Sequence, residues 1–464
     1  MEYVSSTKSR PPLPGGPWLV VGLARSGAAA ALALKARGEA VFGVDSGRPA
    51  GLDALDRAGV GHATGTAGTE RLDGVATVVK SPGVPSDAAV ILEARKRGLT
   101  VIGELELGWR MVEAPTIAIT GTNGKTTTTE LVTHIFRQAG RPVAPAGNVG
   151  HPLCGLAPAP GETLPDGLTV VCECSSYQLE DTLEFSPEVA VHLNLSPDHL
   201  DRHGDLAAYS RAKLNVFRHQ VAGDVAVLNA ADPALTDLEP EGDAAVVRFE
   251  PFGPAGRSGR PVAIDLAEGA IRVDGRPLVA IDRLRIRGPH NVANAMAAAA
   301  AALAAGIAPD RVAAGLAGFS PIPHRFEPVA EIEGVDFIND SKATNVDATA
   351  AALGSFEGGV HLILGGSAKG ESFDGLVEPV ARACRGIYLI GETADEIAEA
   401  LAPAGIQIVR HCEDLEAAVS EAAGAAVPGE TVLLSPACAS FDQFRDYEDR
   451  GDTFREMVRE LDAG

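Results

Sequence analysis

Short apolar runs alternate with longer amphipathic stretches throughout this chain. "PWLVVGLARSGAAAALALKARGEAVFGVD" (17–45) reads as strand, tight loop, helix and strand. "TIAITGTNGKTTTTELVTHIFRQAG" (116–140) repeats the pattern, and the apolar run "LTVVCE" (168–173) follows it. Beyond "PIPHRFEP" (321–328), the runs "GVDFIND", "VHLILGG", "GIYLIG" and "TVLLSP" interleave with Ala/Glu-rich helices. Strand–helix alternation of this kind predicts α/β layers built on parallel sheets. No repeat of 20–50 residues is visible. Proline and glycine clusters near 113–115 and 320–323 predict hinges, and hence three domains: 1–112, 113–321 and 322–464.

Composition narrows the chemistry. The 464 residues carry a formal charge of −23, from 39 basic against 62 acidic side chains, with no basic run. That excludes nucleic acid and anionic membrane surfaces as partners, so any phosphate is handled locally by glycine loops, a few cations and metal. Cys154, Cys172, Cys174, Cys384, Cys412 and Cys438 form no CxxC pair and read as reduced thiols in a cytosolic chain. The opening "MEYVSSTKSRPPLPGGP" has no apolar core for a signal peptide and reads as a loose tail. The alanine-rich run 295–308 is too short to cross a bilayer and reads as a packed helix.

Two loops invite phosphate. In the first, Gly22, Ala24 and Gly27 stand where G-x-G-x-x-G would stand, and Asp45 ends the next strand. In a dinucleotide site the glycines permit close phosphate approach and the acid holds a ribose hydroxyl. The Ala24 methyl obstructs that approach, so a generic turn and a nucleotide site remain equally open. In the second, Gly124, Lys125 and Thr126 match G-x-x-x-x-G-K-[ST], except that Ile119 replaces the first glycine and Gly121 supplies the flexibility. Backbone N–H groups from Gly121, Thr122, Asn123, Gly124 and Thr127 would surround the phosphates of ATP. Lys125 would reach the β/γ oxygens and the Thr126 hydroxyl would meet Mg²⁺. The alternative is a chance GKT.

Downstream, Glu173 lies inside an apolar strand, where a buried carboxylate is costly unless paired or metal-bound; the alternative is an outward-facing Glu with Cys172 and Cys174 turned inward. "NLSPDHLDRHGDLAAYSRAKLNVF" packs Asp198, His199, Asp201, Arg202 and His203 together, which suits oxygen-rich Mg²⁺ chemistry better than zinc. Lys213 is placed at the start of an apolar helix, its alternative being a solvated surface lysine.

The ordered set "GTNGKTT", "NLSPDHLDRHG", "YSRAK", "GPHNVANA", "HRFE" and "NDSKATN" resembles the muramyl ligase family, the ATP-dependent amide-forming enzymes of peptidoglycan precursor synthesis. The likeness covers essentially the whole chain. "SPGVP" (81–85), "NDSKATNVDAT" and "LLSPACASFDQF" resemble the branch that adds D-glutamate. The resemblance implies a Rossmann-like first domain, a P-loop ATPase-like centre and a Rossmann-like third domain. It implies UDP-N-acetylmuramoyl-L-alanine and D-glutamate as substrates, an acyl-phosphate route, two Mg²⁺ ions and a carbamylated Lys213. Thr126, Glu173, His199 and Lys213 would hold metal. Lys125, Asn291, Asn294, Arg325 and Asp340 would serve ATP, with His324 and Arg325 reaching the phosphates at a cleft between the second and third domains. Leu23, Ala24, Asp45, Ser46, Ser81, Pro82, Gly83, Asn148 and His199 would line the UDP-substrate site. Lys342, Thr344, Lys369, Ser440, Phe441 and Tyr447 would bind D-glutamate. A cytoplasmic monomer without membrane insertion is implied. A ligase of the same scaffold with another amino acid or folate, a silent regulatory protein and a dehydrogenase stay as alternatives.

Overall fold

The computed structural model describes residues 8–49, 52–148, 151–198, 200–251, 261–286, 288–320, 323–368 and 372–463. These divide into two compact units: Met1–Leu284 with Ala293–Phe319, and Arg285–Val292 with Ser320–Gly464.

The first unit holds two sheets. One contains β1 (Trp18–Val21), β2 (Val41–Asp45), β3 (Gly61–Thr64), β4 (Thr77–Lys80) and β5 (Thr100–Gly103), all parallel, in the order 3-2-1-4-5. The other contains β6 (Thr116–Thr120), β7 (Val143–Gly147), β8 (Thr169–Glu173), β9 (Val189–His192), β10 (Val225–Asn229), β11 (Ala245–Glu250), β12 (Ile264–Ala267), β13 (Ala270–Val273) and β14 (Arg276–Ala280). Its order is 14-13-12-11-10-9-6-8-7. Every position of β4, β6, β8, β9 and β10 is buried, as expected of parallel strands covered on both faces. The second unit's sheet contains β15 (Glu327–Ile332), β16 (Val335–Asn339), β17 (Val360–Gly365), β18 (Cys384–Ile390), β19 (Ile408–His411) and β20 (Thr431–Leu434), ordered 15-16-20-17-18-19.

The predicted α/β class holds, but alternation throughout does not. β12, β13 and β14 are antiparallel neighbours, as are β15 and β16. Each of their three connections is two residues long, Glu268–Gly269, Asp274–Gly275 and Glu333–Gly334, with positive φ at both positions. Only type I′ hairpin turns require that pair, and glycine at the second place relieves the strain.

The amino-terminal segment also departs from expectation. From Lys8 onward it is tied down rather than loose. Arg10 forms a buried ion pair with Glu188, and the Lys8 ammonium reaches Asp224 at 2.6 Å. The alanine-rich helix spans Pro289–Ala304, with Ala297–Ala302 fully buried, so it is the packed element predicted. No helix among the described residues is long and apolar enough to cross a membrane.

Candidate active site

β6 sits between β8 and β9: the connection leaving β6 runs to β7 at one edge, whereas the one leaving β8 crosses back past β6 to β9 on its other side. That reversal opens a crevice at the strand ends, the usual ligand position in such sheets. The phosphate-loop residues occupy it. Gly121 and Gly124 have φ of 151° and 84°, and Gly124 caps the helix Lys125–Gln138. A Cβ on Gly124 would lie 2.2 Å from Asn294 Oδ1, so Asn294 buttresses the loop from behind. Thr122 and Asn123 are pinned by their amides, which donate to Asn194 O at 3.0 Å and Asn194 Oδ1 at 2.8 Å. The Lys125 ammonium donates to the carbonyls of Gly121 at 2.8 Å and Thr122 at 2.6 Å.

Glu173 ends β8, in register with Ile119 of β6, and is fully buried. It accepts from the Thr126 hydroxyl at 2.7 Å and from Asn148 Nδ2 at 3.0 Å. The outward-facing alternative is therefore wrong: Glu173, Cys172 and Cys174 are all buried because β8 is covered on both faces. A buried carboxylate beside a hydroxyl offers the hard oxygen donors that Mg²⁺ prefers, so these residues fit that ion.

Lys213 lies in the last turn of the helix Leu206–Leu214, not at its start. Asp205 caps this helix by accepting from Ala208 N, a boundary that the apolar run alone hides. Nor is Lys213 solvated. Only 1% of it is exposed; its ammonium donates to Gly121 O at 2.7 Å and stands 4.4 Å from the Tyr209 ring centroid. Burial, and then the Lys125 charge, push its amine well below the usual lysine value against the opposing pull of Asp198, Cys174 and Glu173. In the same crevice His192, in register with Thr120, is pushed down to about 3 by burial and the two lysines.

Two members of the ionisable run after β9, Arg202 and His203, have partners of their own. Arg202 donates to Pro82 O and Val84 O, both at 2.7 Å, and its guanidinium covers the Tyr177 ring. His203 stacks on Tyr177 and meets Ser176 Oγ at 3.0 Å. His199 and Lys369 lie outside the described residues, as does the Asp201 side chain.

A cavity of about 510 Å³ opens above the first sheet. Ala24, Asp45, Ser46, Ser81, Pro82, Gly83 and Asn148 line it together, joined by Arg25 and Gln178. Leu23 instead turns its side chain into the core while its amide donates to Asp45 Oδ2 at 2.6 Å. Gly27 is indispensable here, since a Cβ would fall 1.7 Å from Gly22 O. Asn148 belongs to both places, lining the cavity and holding Glu173.

In the second unit the "HRFE" segment is a strained turn: His324 and Phe326 have φ of 62° and 45°, with Arg325 between them. Asp340 anchors it, accepting from Phe326 N at 3.1 Å and the Ser435 hydroxyl at 2.9 Å, and burial raises its carboxyl to about 7. The Lys342 ammonium stands 4.9 Å from the Tyr447 ring centroid. Arg450, fully buried, donates to Ser341 O at 2.8 Å and Cys438 O at 3.2 Å, drawing the 341–344 and 438–441 segments together. Ser440 is thereby buried and Phe441 left exposed, while the Thr344 amide donates to Lys342 O. Asn291 is buried in the helix Pro289–Ala304. Arg450 was missed because an arginine in an amphipathic helix reads as solvent-facing.

Family models agree with this architecture segment by segment. Residues 17–103 match a Mur ligase MurD-like N-terminal domain, 119–302 a Mur ligase middle domain, and 324–438 a Mur ligase glutamate ligase domain. Similar curated relatives are the UDP-N-acetylmuramoylalanine–D-glutamate ligases of Solibacter usitatus and Myxococcus xanthus. The first is 41% identical, covering 96% of this chain and 98% of the relative; the second is 42% identical, covering 97% and 99%. Among solved structures, a pseudomurein peptide ligase type C from Methanothermus fervidus superposes with a TM-score of 0.59 at 20% identity, covering 96% and 100% of the two chains. UDP-N-acetylmuramate–alanine ligase MurC from Thermotoga maritima gives 0.57 at 19%, covering 96% and 99%. These likenesses reach across all three sheets and both phosphate-inviting loops, and the chain belongs to the Mur ligase family.

Proposed function

We propose that this chain is an ATP-dependent ligase that joins D-glutamate to UDP-N-acetylmuramoyl-L-alanine, giving the amide, ADP and phosphate. The observation that carries the reading is the Thr126–Glu173 pair beside the Lys125 loop, in a chain about 40% identical to D-glutamate ligases along nearly its whole length.

A carboxylate resists amine attack because it is anionic and resonance-stabilised. Transfer of the γ-phosphoryl group onto it yields an acyl phosphate; the amine of D-glutamate then attacks the carbonyl carbon and phosphate leaves. The protein's part is to position the reactants and neutralise charge. Lys125 offsets charge on the β/γ-phosphates once its ammonium swings from the loop carbonyls. Thr126, Glu173 and His199 would hold Mg²⁺, which when bound neutralises phosphate charge. Two ions are proposed, with Lys213 as the further ligand after carbamylation. Its ammonium first releases a proton; the neutral amine then adds to the carbon of CO₂ and loses a second, so that a cation becomes a carbamate anion. Burial that favours the uncharged amine supports that role.

The 510 Å³ cavity is assigned to the uridine nucleotide. Arg325, Asp340, Asn291 and Asn294 serve ATP, and Lys342, Thr344, Lys369, Ser440, Phe441 and Tyr447 serve D-glutamate, whose two carboxylates suit cationic and hydroxyl donors. The domain division 1–112, 113–321 and 322–464, a monomeric state and a cytoplasmic location complete the proposal. Phosphate release with ATP, the uridine nucleotide and each candidate amino acid tests it.

A further inference from the structure

The segment before β1 reaches past its own sheet to the amino-terminal edge of the second. Arg10 lays its guanidinium 4.6 Å from the Trp109 ring centroid and donates to both oxygens of Glu188 at 3.0 and 3.3 Å. Its Nη2 also donates to Ala114 O at 2.6 Å. Glu188 in turn accepts from Thr116 N at 2.7 Å. Two residues earlier, the Lys8 ammonium reaches Asp224 and Ser186 at 2.6 and 2.7 Å. Two residues later, Pro12 O accepts from Arg110 at 2.6 Å. Residues 112–115, which carry the chain from the first sheet to the second, are thus gripped from outside by a segment distant in sequence.

We propose that residues 8–12 form a strap, with Arg10 as its positioning residue, that locks the 112–115 connection and thereby fixes the width of the uridine-nucleotide cavity. The reasoning is geometric. The cavity takes Asp45, Ser46 and Ser81 from the first sheet but Asn148 and Gln178 from the second, so its width follows the angle between the sheets. At the strands' carboxyl ends that angle is held by Lys80 on Asp181 at 2.5 Å and by Arg202 on Pro82 O and Val84 O. At the opposite edge it is held by the strap. Cys154 still packs into the first sheet's core and its amide still donates to Glu104 at 2.6 Å, so without the strap that edge is held less firmly. Rotation about this contact would open the cavity while leaving the phosphate loop, which sits wholly in the second sheet's crevice, undisturbed. A general structural role would instead weaken both substrates alike.

Arg10→Ala strands the buried Glu188 carboxylate, so the informative variant is Arg10→Met with Glu188→Gln in the full chain, which removes both charges. Arg10→Lys, keeping charge without the two-pronged grip, gives the second point. Hydrogen exchange at 112–118 is expected to accelerate at least tenfold in the double variant, with β1 unchanged. Because the cavity's ligand rests on the proposed function, the second readout is kinetic. The KM for UDP-N-acetylmuramoyl-L-alanine is expected to rise at least fivefold, with the KM for ATP within twofold and Arg10→Lys intermediate. Unchanged exchange at 112–118 in a folded double variant overturns the strap. So does a parallel rise of both KM values. A wild-type protein that fails to bind the uridine nucleotide refutes the functional reading instead, and the exchange measurement still decides the strap.

Discussion

Thr126 donates its hydroxyl to Glu173 across 2.7 Å, joining the first turn of the phosphate-loop helix to the end of the neighbouring strand. The carboxylate is buried, and Asn148 holds its other oxygen. These two hydrogen bonds fix the carboxylate where a cation can meet it. Glu173→Gln keeps the shape and the bond accepted from Asn148, turns the other position into a donor toward the Thr126 hydroxyl, and removes the charge. Turnover should fall about a hundredfold or more, as for other preorganised charge contacts. Thermal unfolding should change little, since no buried charge is left unmatched. Near-normal phosphate release would remove Glu173 from the metal site.

Lys213 offers a chemical test. Lys213→Ala should lose most activity, and a short-chain carboxylic acid in the buffer should restore part of it by supplying the missing anion. Full activity in the unassisted variant contradicts the role.

A stability measurement tests Asp340. Burial raises its folded value to about 7 from an unfolded carboxylate near 4. Between those values the native state binds a proton that the unfolded state has released. Stability contributed by this group therefore falls as pH rises from about 4 to about 7, by up to about 1.4 kcal/mol per unit. Asp340→Asn should remove that decline, so the variant gains on the wild type between pH 5 and pH 8 in denaturant titrations. A constant difference across that range contradicts the assignment.

Lys342 stands against Tyr447 in the region assigned to the amino-acid substrate. Loss of a charge-assisted contact costs about 1.5–3 kcal/mol. Lys342→Ala should therefore raise the KM for D-glutamate at least tenfold and leave that for ATP nearly unchanged. Equal loss toward both substrates would make Lys342 a structural residue.

The elements that position the site were visible in the sequence where local pattern is enough. The strand–loop–helix around Lys125, the buried Glu173 strand and the glycine turn at Gly22 all follow from short-range periodicity and φ requirements. Long-range partners were not visible. Nothing near Arg10 announces Glu188, and nothing near Arg450 announces Ser341 or Cys438, because each pairing exists only after folding. Lys213 was misplaced because burial, not helix pattern, decides its character. The E-G and D-G dipeptides at 268, 274 and 333 did carry the hairpin signal; the strand–helix reading passed over them.

The central claim is the amino acid. Two carboxylates need donors on two sides while the amine stays free to attack, and the 341–344 and 438–441 segments drawn together by Arg450 offer hydroxyl and ammonium groups. The most direct measurement is phosphate release by the purified chain with ATP, Mg²⁺ and UDP-N-acetylmuramoyl-L-alanine, repeated with D-glutamate, L-glutamate, L-lysine and diaminopimelate. Release with D-glutamate alone is the predicted result; comparable release with any of the other three would contradict the assignment.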